Sequence, residues 1–257
     1  MKAVTLLSGG LDSTTVTAMA VRRHGASNVL ALSVDYGQRH QRELSSAKQI
    51  AERLKIHHRI LHLPSHLFRG ADSTLINPTL ETPHKTYRQL ELDLGVSPTY
   101  VPFRNAILIS MASAIALIEE AEEVWIGTHA EDARNWAYPD CTPEFNGAMS
   151  NAIYVGTYMK VRLVTPLQWM MKKDVVRQAY KVDTPVELTW SCYEGGTVAC
   201  GKCPTCCERL AAFNAVGYVD PIPYIDREFW KQAYPRSRVA SSFLASLDFS
   251  LKAIIIA

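Results

Sequence analysis

Leu6-Leu7-Ser8-Gly9-Gly10-Leu11-Asp12-Ser13-Thr14-Thr15 follows directly on the apolar run Ala3-Val4-Thr5, and the architecture hangs on this stretch. Such a run reads as a buried parallel strand ending at Leu7. Gly9 and Gly10 then permit a tight turn with positive φ or close backbone approach, and a helix starts near Leu11 or Asp12. The turn aims free amides outward, Ser8, Ser13 and Thr14 add hydroxyl donors, and the helix dipole favours negative charge. The stretch is therefore a candidate cradle for a phosphate or pyrophosphate, although a glycine pair alone is an ordinary turn signal. No Gly-Lys-Ser/Thr follows, which excludes the Walker type.

The chain of 257 residues is 47% hydrophobic and 20% charged, enough to bury a sizeable core. A net charge of +2 indicates no strong affinity for nucleic acid, so a nucleic-acid partner is not required. No apolar run approaches the roughly 20 residues that span a bilayer, and the start runs into a strand, not a signal peptide. Five of the six cysteines fall between Cys192 and Cys207. That crowding points to a metal in a reducing compartment, here the cytoplasm, and away from a disulfide framework.

After the first helix, Asn28-Val29-Leu30-Ala31-Leu32-Ser33-Val34 reads as a second strand that delivers Asp35-Tyr36-Gly37-Gln38-Arg39-His40. Open α/β sheets place ligands at such strand ends, where a solvated turn is the plain alternative. A helix from about Gln41 to Leu54 and a third strand, His57 to Leu63, come next. Alternation and Pro64 scatter the histidines His57, His58, His62 and His66, which argues against a metal there. The aperiodic stretch 70–98 reads as a lid or binding loop, with a wandering surface loop as the plain alternative. Arg104 and Asn105 stand at the mouth of a helix, 106–118, apolar on most sides and hence expected to be central. Arg104 can clamp a phosphate or carboxylate bidentately, or pair with a neighbouring acid. The fourth strand, 122–127, leads to a polar loop with Asp132, Tyr138 and Asp140. Either aspartate could hold magnesium, read a base, or cap the helix that Pro143 introduces. A fifth strand, 161–166, and a helix, 172–180, complete an alternating βα pattern. The expected fold is α/β, a doubly wound and mostly parallel sheet covered on both faces.

Cys192, Cys200, Cys203 and Cys206 carry a C-x2-C-x2-C run preceded by a fourth thiol. That spacing suits a closed tetrahedral Zn²⁺ site, and iron–sulfur ligation is the rival that spacing alone leaves open. Cys207 opens a helix and is expected to point away.

The string Ser8-Gly9-Gly10-x-Asp12-Ser13 resembles the pyrophosphate-binding loop of the PP-loop ATP pyrophosphatases. With Asp35-Tyr36-Gly37-Gln38-Arg39-His40, Tyr100-Val101-Pro102, Arg104-Asn105, Tyr138-Pro139-Asp140-Cys141 and Trp190-Ser191-Cys192 before the other cysteines and Arg209, it occurs in the order seen in the QueC family of 7-cyano-7-deazaguanine synthases. The resemblance spans about residues 1–217. It implies a PP-loop, adenine-nucleotide-hydrolase-like domain over 1–187, with a small zinc-binding appendage and C-terminal helical segment over 188–257. It also implies ATP, Mg²⁺ and Zn²⁺, a homodimer, and a C–N-forming ligase that turns 7-carboxy-7-deazaguanine and ammonia into the nitrile. In the reaction so implied, the carboxylate would attack the α-phosphate, ammonia would capture the acyl-adenylate, and a second ATP would activate the amide oxygen. The ATP loop would be Leu7, Ser8, Gly9, Gly10, Leu11, Asp12, Ser13, Thr14 and Thr15, with Ser8, Asp12, Ser13 and Arg104 catalytic. Tyr36, Gln38, Arg104, Asn105, Asp132, Tyr138 and Asp140 would line the deazaguanine pocket. Phe103, Trp136-Ala137 and Thr142 depart from the residues usual in the family, on loops expected to shape that pocket. The alternative is a related ligase that stops at the amide or joins the deazaguanine to a macromolecule.

Overall fold

A computed structural model describes residues 1–38, 42–64, 66–77, 79–87, 89–90 and 97–233. Arg39, His40, the helix start at Gln41, Tyr234 and the apolar end 253–257 lie outside the described residues.

Five strands, β1 (Ala3–Leu6), β2 (Val29–Asp35), β3 (His57–His62), β4 (Glu123–Trp125) and β5 (Arg162–Val164), form one sheet in the order β3-β2-β1-β4-β5. Every pairing is parallel. The chain winds from β1 outward to β3, then returns to add β4 on the other side of β1. The order therefore reverses between β1 and β4, and ligands of such sheets bind outside the carboxyl ends at that point.

Both faces are buried, which is why β1 and β2 read as continuous apolar runs. On one face Val4, Leu30, Leu32 and Val124 pack against Ile109, Ala112 and Ala116 of α3 (Arg104–Ile118) and Ile153 of α4 (Pro143–Gly156). On the other, Ala3, Val29 and Trp125 meet Val16 and Ala20 of α1 (Leu11–His24) and Val175 of α5 (Lys172–Lys181). Ala31 meets Ala47 and Ile50 of α2 (Arg42–Leu54) on that side. The expected doubly wound parallel sheet is the observed one. Although α3 is apolar on most sides, it is not central: it covers one sheet face and leaves Ser110, Ala114 and Ile118 exposed. Small residues permit close packing here without demanding burial on every side.

The cysteine region is an appendage packed on helices that cover the sheet. Its helix α6 (Pro204–Ala215) packs Ala212 and Phe213 against Leu11, Val176 and Ala179. The short α7 (Trp230–Ala233) lays Trp230 over Cys207 and Leu210. A buried pair, Arg209 Nε to Asp220 Oδ2 at 2.6 Å, ties the region together. Arg209 also donates to Thr189 Oγ1 at 2.7 Å.

Candidate active site

A cavity of about 300 Å³ opens at the carboxyl ends of the strands. Its first wall is the loop 8–13. The Ser8 amide donates to Ser13 Oγ at 3.1 Å, the Gly10 amide to Ser8 Oγ at 3.3 Å, and Ser13 Oγ to the Gly10 carbonyl at 3.1 Å. The two serines thus hold the loop's shape as well as facing the cavity. Leu7, Ser8, Gly10, Asp12 and Ser13 line it. Leu11, Thr14 and Thr15 do not: Leu11 is core, and the threonine hydroxyls are turned back onto the Gly10 and Leu11 carbonyls at 2.7 Å each. A hydroxyl one turn into a helix finds the preceding carbonyl closer than any ligand.

Gly9 has another task than the one its sequence suggests. At φ +91°, a β-carbon there would stand 2.3 Å from the Glu43 carbonyl oxygen of α2. Gly127, after β4, meets the loop from the opposite side, its β-carbon position 2.9 Å from the Asp12 carbonyl carbon. Gly9→Ala combines a left-handed backbone with a backbone clash. It should cost roughly 3 kcal/mol in denaturant unfolding, whereas Gly25→Ala, with open space around it, should cost about the left-handed penalty alone.

Charges gather at the start of α1. Lys172 Nζ, from the first residue of α5, lies 2.7 Å from Asp12 Oδ2, 3.2 Å from His129 Nε2 and 3.6 Å from Glu208 Oε2. Burial opposes the Lys172 charge, but Asp12 and Glu208 more than reverse that and hold its pKa above the usual lysine range. Burial alone would raise the Asp12 pKa, yet Lys172 and His129 bring it below the usual carboxylate range. Glu208, raised chiefly by burial, titrates at about 7. Asp12 Oδ1 is buried without a hydrogen-bond partner. Asp132 lines the cavity, but accepts from the His129 amide at 3.2 Å and so belongs to this cluster.

At the other end, Arg104 Nη1 donates to the Tyr36 hydroxyl at 3.0 Å, and its guanidinium lies 5.4 Å from the Tyr36 ring centre. Arg104 Nε is buried and unpartnered. Gln38 folds back, accepting from the Tyr36 amide at 2.9 Å. The Tyr138 hydroxyl bonds Ser97 Oγ at 2.9 Å and also Thr99. Tyr87 packs edge-on against Tyr138 and bonds the Tyr193 hydroxyl at 2.7 Å. Burial raises all three phenols, so they stay neutral donors.

Asp140 is not in the cavity wall. Its Oδ2 accepts from the Asn105 amide at 3.0 Å and caps α3, while the expected cap role on α4 falls to Thr142, which accepts from the Phe145 amide. Asn105 lines the cavity, but its side-chain amide is engaged with the Asp140 carbonyl and Cys141 Sγ, each at 3.1 Å. The departures Phe103, Trp136 and Thr142 also fall outside the wall. Phe103 takes φ +53°, a left-handed conformation that favours glycine, and rests edge-on against Phe145. Phe103→Gly relieves about 1 kcal/mol of left-handed strain and loses an aromatic contact of similar size. Stability in denaturant unfolding should therefore stay near wild type.

The four Sγ atoms of Cys192, Cys200, Cys203 and Cys206 lie within 4.8 Å of one another, the one group of metal-binding geometry among the described residues. All four residues are buried, and the thiol set fits a metal ion. Cys207 turns its sulfur instead to the Lys202 carbonyl at 3.5 Å. None of the described histidines falls in that group; His58 Nε2 bonds Ser33 Oγ at 2.8 Å. The cysteine region reaches the site directly. The Trp190 amide donates to the Gly9 carbonyl at 2.8 Å, and Trp190, Ser191, Cys192, Tyr193 and Thr205 line the cavity.

A parallel sheet with a serine–glycine loop at its reversal point, backed by a lysine–aspartate pair, defines a nucleotide-dependent α/β enzyme of the PP-loop class. The chain belongs to the QueC family: residues 2–217 match the family described as "Queuosine biosynthesis protein QueC". Among curated relatives it is similar to the 7-cyano-7-deazaguanine synthase of Thermoplasma volcanium, 40% identical over 87% of this chain and 90% of that one. The enzymes of that name from Caldicellulosiruptor bescii (41%, covering 87% and 97%) and Thermosynechococcus vestitus (43%, covering 87% and 95%) are alike to a similar degree. It is an enzyme of the ligase type. No helix among the described residues is long and apolar enough to cross a membrane.

Proposed function

We propose that the enzyme converts 7-carboxy-7-deazaguanine and ammonia, with two ATP, into 7-cyano-7-deazaguanine. The observation that carries this reading is that the loop 8–13 and the Tyr36, Arg104 and Tyr138 cluster line one continuous cavity. A nucleotide phosphate and a planar carboxylic acid can therefore meet in it.

In this reading Ser8, Gly10 and Ser13 hold the phosphates, and Lys172 neutralises charge on the leaving pyrophosphate. The partnerless Asp12 Oδ1 fits a ligand to Mg²⁺, which when bound would add to that neutralisation. Arg104 Nε, free of protein partners, orients the substrate carboxylate. Tyr36 and Tyr138 flank the ring, with Gln38, Asn105 and Asp132 at its margin. Zn²⁺ suits the four buried thiols, a closed site with no place for water, so its part is structural. The nucleotide-binding part is 1–187 and the metal-binding and helical part 188–257. The clustered free thiols favour the cytoplasm. A homodimer would cover Val155, Tyr158 and Met159, which stand exposed at the end of α4.

Incubation with ATP, Mg²⁺, an ammonium salt and 7-carboxy-7-deazaguanine, followed by mass spectrometry, should show the nitrile with two AMP per product. Accumulation of the amide would overturn nitrile formation, and absence of substrate-dependent AMP would overturn the reading as a whole. Elemental analysis should return zinc; iron with a visible absorbance band would replace it.

A further inference from the structure

Four carboxyl groups line the cavity, those of Asp12, Glu43, Asp132 and Glu208. Asp12 and Glu208 face Lys172, and Asp132 accepts the His129 amide. Glu43 alone has no hydrogen bond or ion pair to its carboxyl among the described residues. It projects from the first turn of α2, whose backbone is pressed against the loop at Gly9, and it lines the cavity within electrostatic reach of Arg104 at the other end. Glu43 is half-buried, and a carboxyl partly withdrawn from water with no protein partner costs stability. The groups that face it are Arg104 of α3, Tyr36 at the end of β2 and Tyr193 of the cysteine region. None of them is bonded to it.

The reaction proposed above has a need that no residue so far assigned meets. Ammonia carries three N–H protons and the nitrile none. One leaves when nitrogen displaces AMP from the acyl-adenylate, giving amide, AMP and H⁺. The other two leave when the activated amide, its oxygen now on the second AMP, breaks that C–O bond to give nitrile, AMP and 2H⁺. The two carboxylate oxygens depart on the two AMP molecules, and no electrons are exchanged. A proton acceptor within the cavity is required at both stages.

We propose that the Glu43 carboxylate is this acceptor, taking protons from the reacting nitrogen as amide and then nitrile form. The inference rests on the nitrile-forming reading of the site. Burial, only partly offset by Arg104, raises the Glu43 pKa to about 7, where a carboxylate takes and returns protons readily near neutrality. Because its folded pKa lies above the unfolded one, Glu43 weakens the fold as pH rises through that range. Glu43→Gln should therefore melt above wild type at pH 8 and close to it at pH 5, which shows that the variant folds.

The test separates adenylation from nitrogen chemistry. In E43Q, exchange of labelled pyrophosphate into ATP, dependent on 7-carboxy-7-deazaguanine, should stay within about threefold of wild type, while nitrile formation falls about 100-fold or more. Its low-pH limb near 7 should vanish and return in E43D. With hydroxylamine as nucleophile, which is largely unprotonated at neutral pH, the same limb reports Glu43 without the ionisation of ammonium. Nitrile formation by E43Q within a few-fold of wild type would overturn the proposal. So would an equal loss of exchange and nitrile, which would make Glu43 a substrate-holding group. A wild-type enzyme without exchange would overturn the function reading itself, and this assignment with it.

Discussion

Lys172→Met should lower pyrophosphate exchange by a factor of about 100 to 1,000. The ammonium is the cation closest to Asp12, at 2.7 Å, at the start of α1 where pyrophosphate would depart. The Lys172 side chain is 11% exposed and that of Asp12 25%, so little solvent replaces the lost charge. Removing one partner of such a buried pair costs about 3 kcal/mol, because the other is left uncompensated. Asp12→Asn/Lys172→Met should regain much of that stability without regaining exchange, since pairwise coupling is lost only once. Chemical unfolding of the two variants alongside exchange assays checks this. Exchange retained in K172M would remove Lys172 from the phosphate site.

Cys203→Ser should be the most damaging single change outside the cavity. Cys203 is fully buried at the start of α6, and a structural tetrahedral thiolate site contributes binding free energy directly to folding, on the order of 10 kcal/mol. That equals the whole stability of an ordinary domain. Metal content measured on purified protein should fall below stoichiometric, the thermal transition should drop and broaden, and adenylation should be lost with it. The last follows from Trp190 and Cys192 standing in the cavity wall. Cys207→Ser, whose sulfur lies outside the cluster, should keep its metal. Full adenylation by metal-free C203S would show that the wall stands without the ion.

The parts of the site legible in the sequence are those whose residues lie close together along the chain. Ser8 to Ser13 and Cys200 to Cys206 each fit within one turn and its neighbouring helix, so spacing alone restricts their geometry. Lys172 is the contrary case. It sits beside Lys173 in a run of ordinary amphipathic helix, and only the crossing of α5 under the start of α1 sets one lysine in the cavity and the other outside it. Its place at a helix start beyond the fifth strand, on the ligand-binding edge of the sheet, was the signal that could have singled it out. In the sequence Glu43 is a charge in the first turn of a helix, where a carboxylate suits the dipole, His129 is one polar residue in a loop, and Gly127 ends a strand. Each acquires its role from a neighbour more than 30 residues away. In the other direction, Thr14, Thr15 and Asp140 looked like ligand contacts because their chemistry suits ligands, but nearby backbone groups claim them first. Phe103 and Trp136 stood out as bulky departures on site loops, yet their side chains turn to solvent.

The bond from the Trp190 amide to the Gly9 carbonyl means that Ser8-Gly9-Gly10-Leu11-Asp12-Ser13 is not a portable module. The loop is moulded on three sides by chain that arrives later: the Glu43 carbonyl, the Gly127 backbone and a residue some 180 positions downstream. Grafted onto another strand and helix, the same six residues would keep their glycines and hydroxyls but lose the surroundings that hold them in shape. Transplants of the string into a foreign α/β scaffold should therefore fail to bind nucleotide unless counterparts of those three neighbours travel with it.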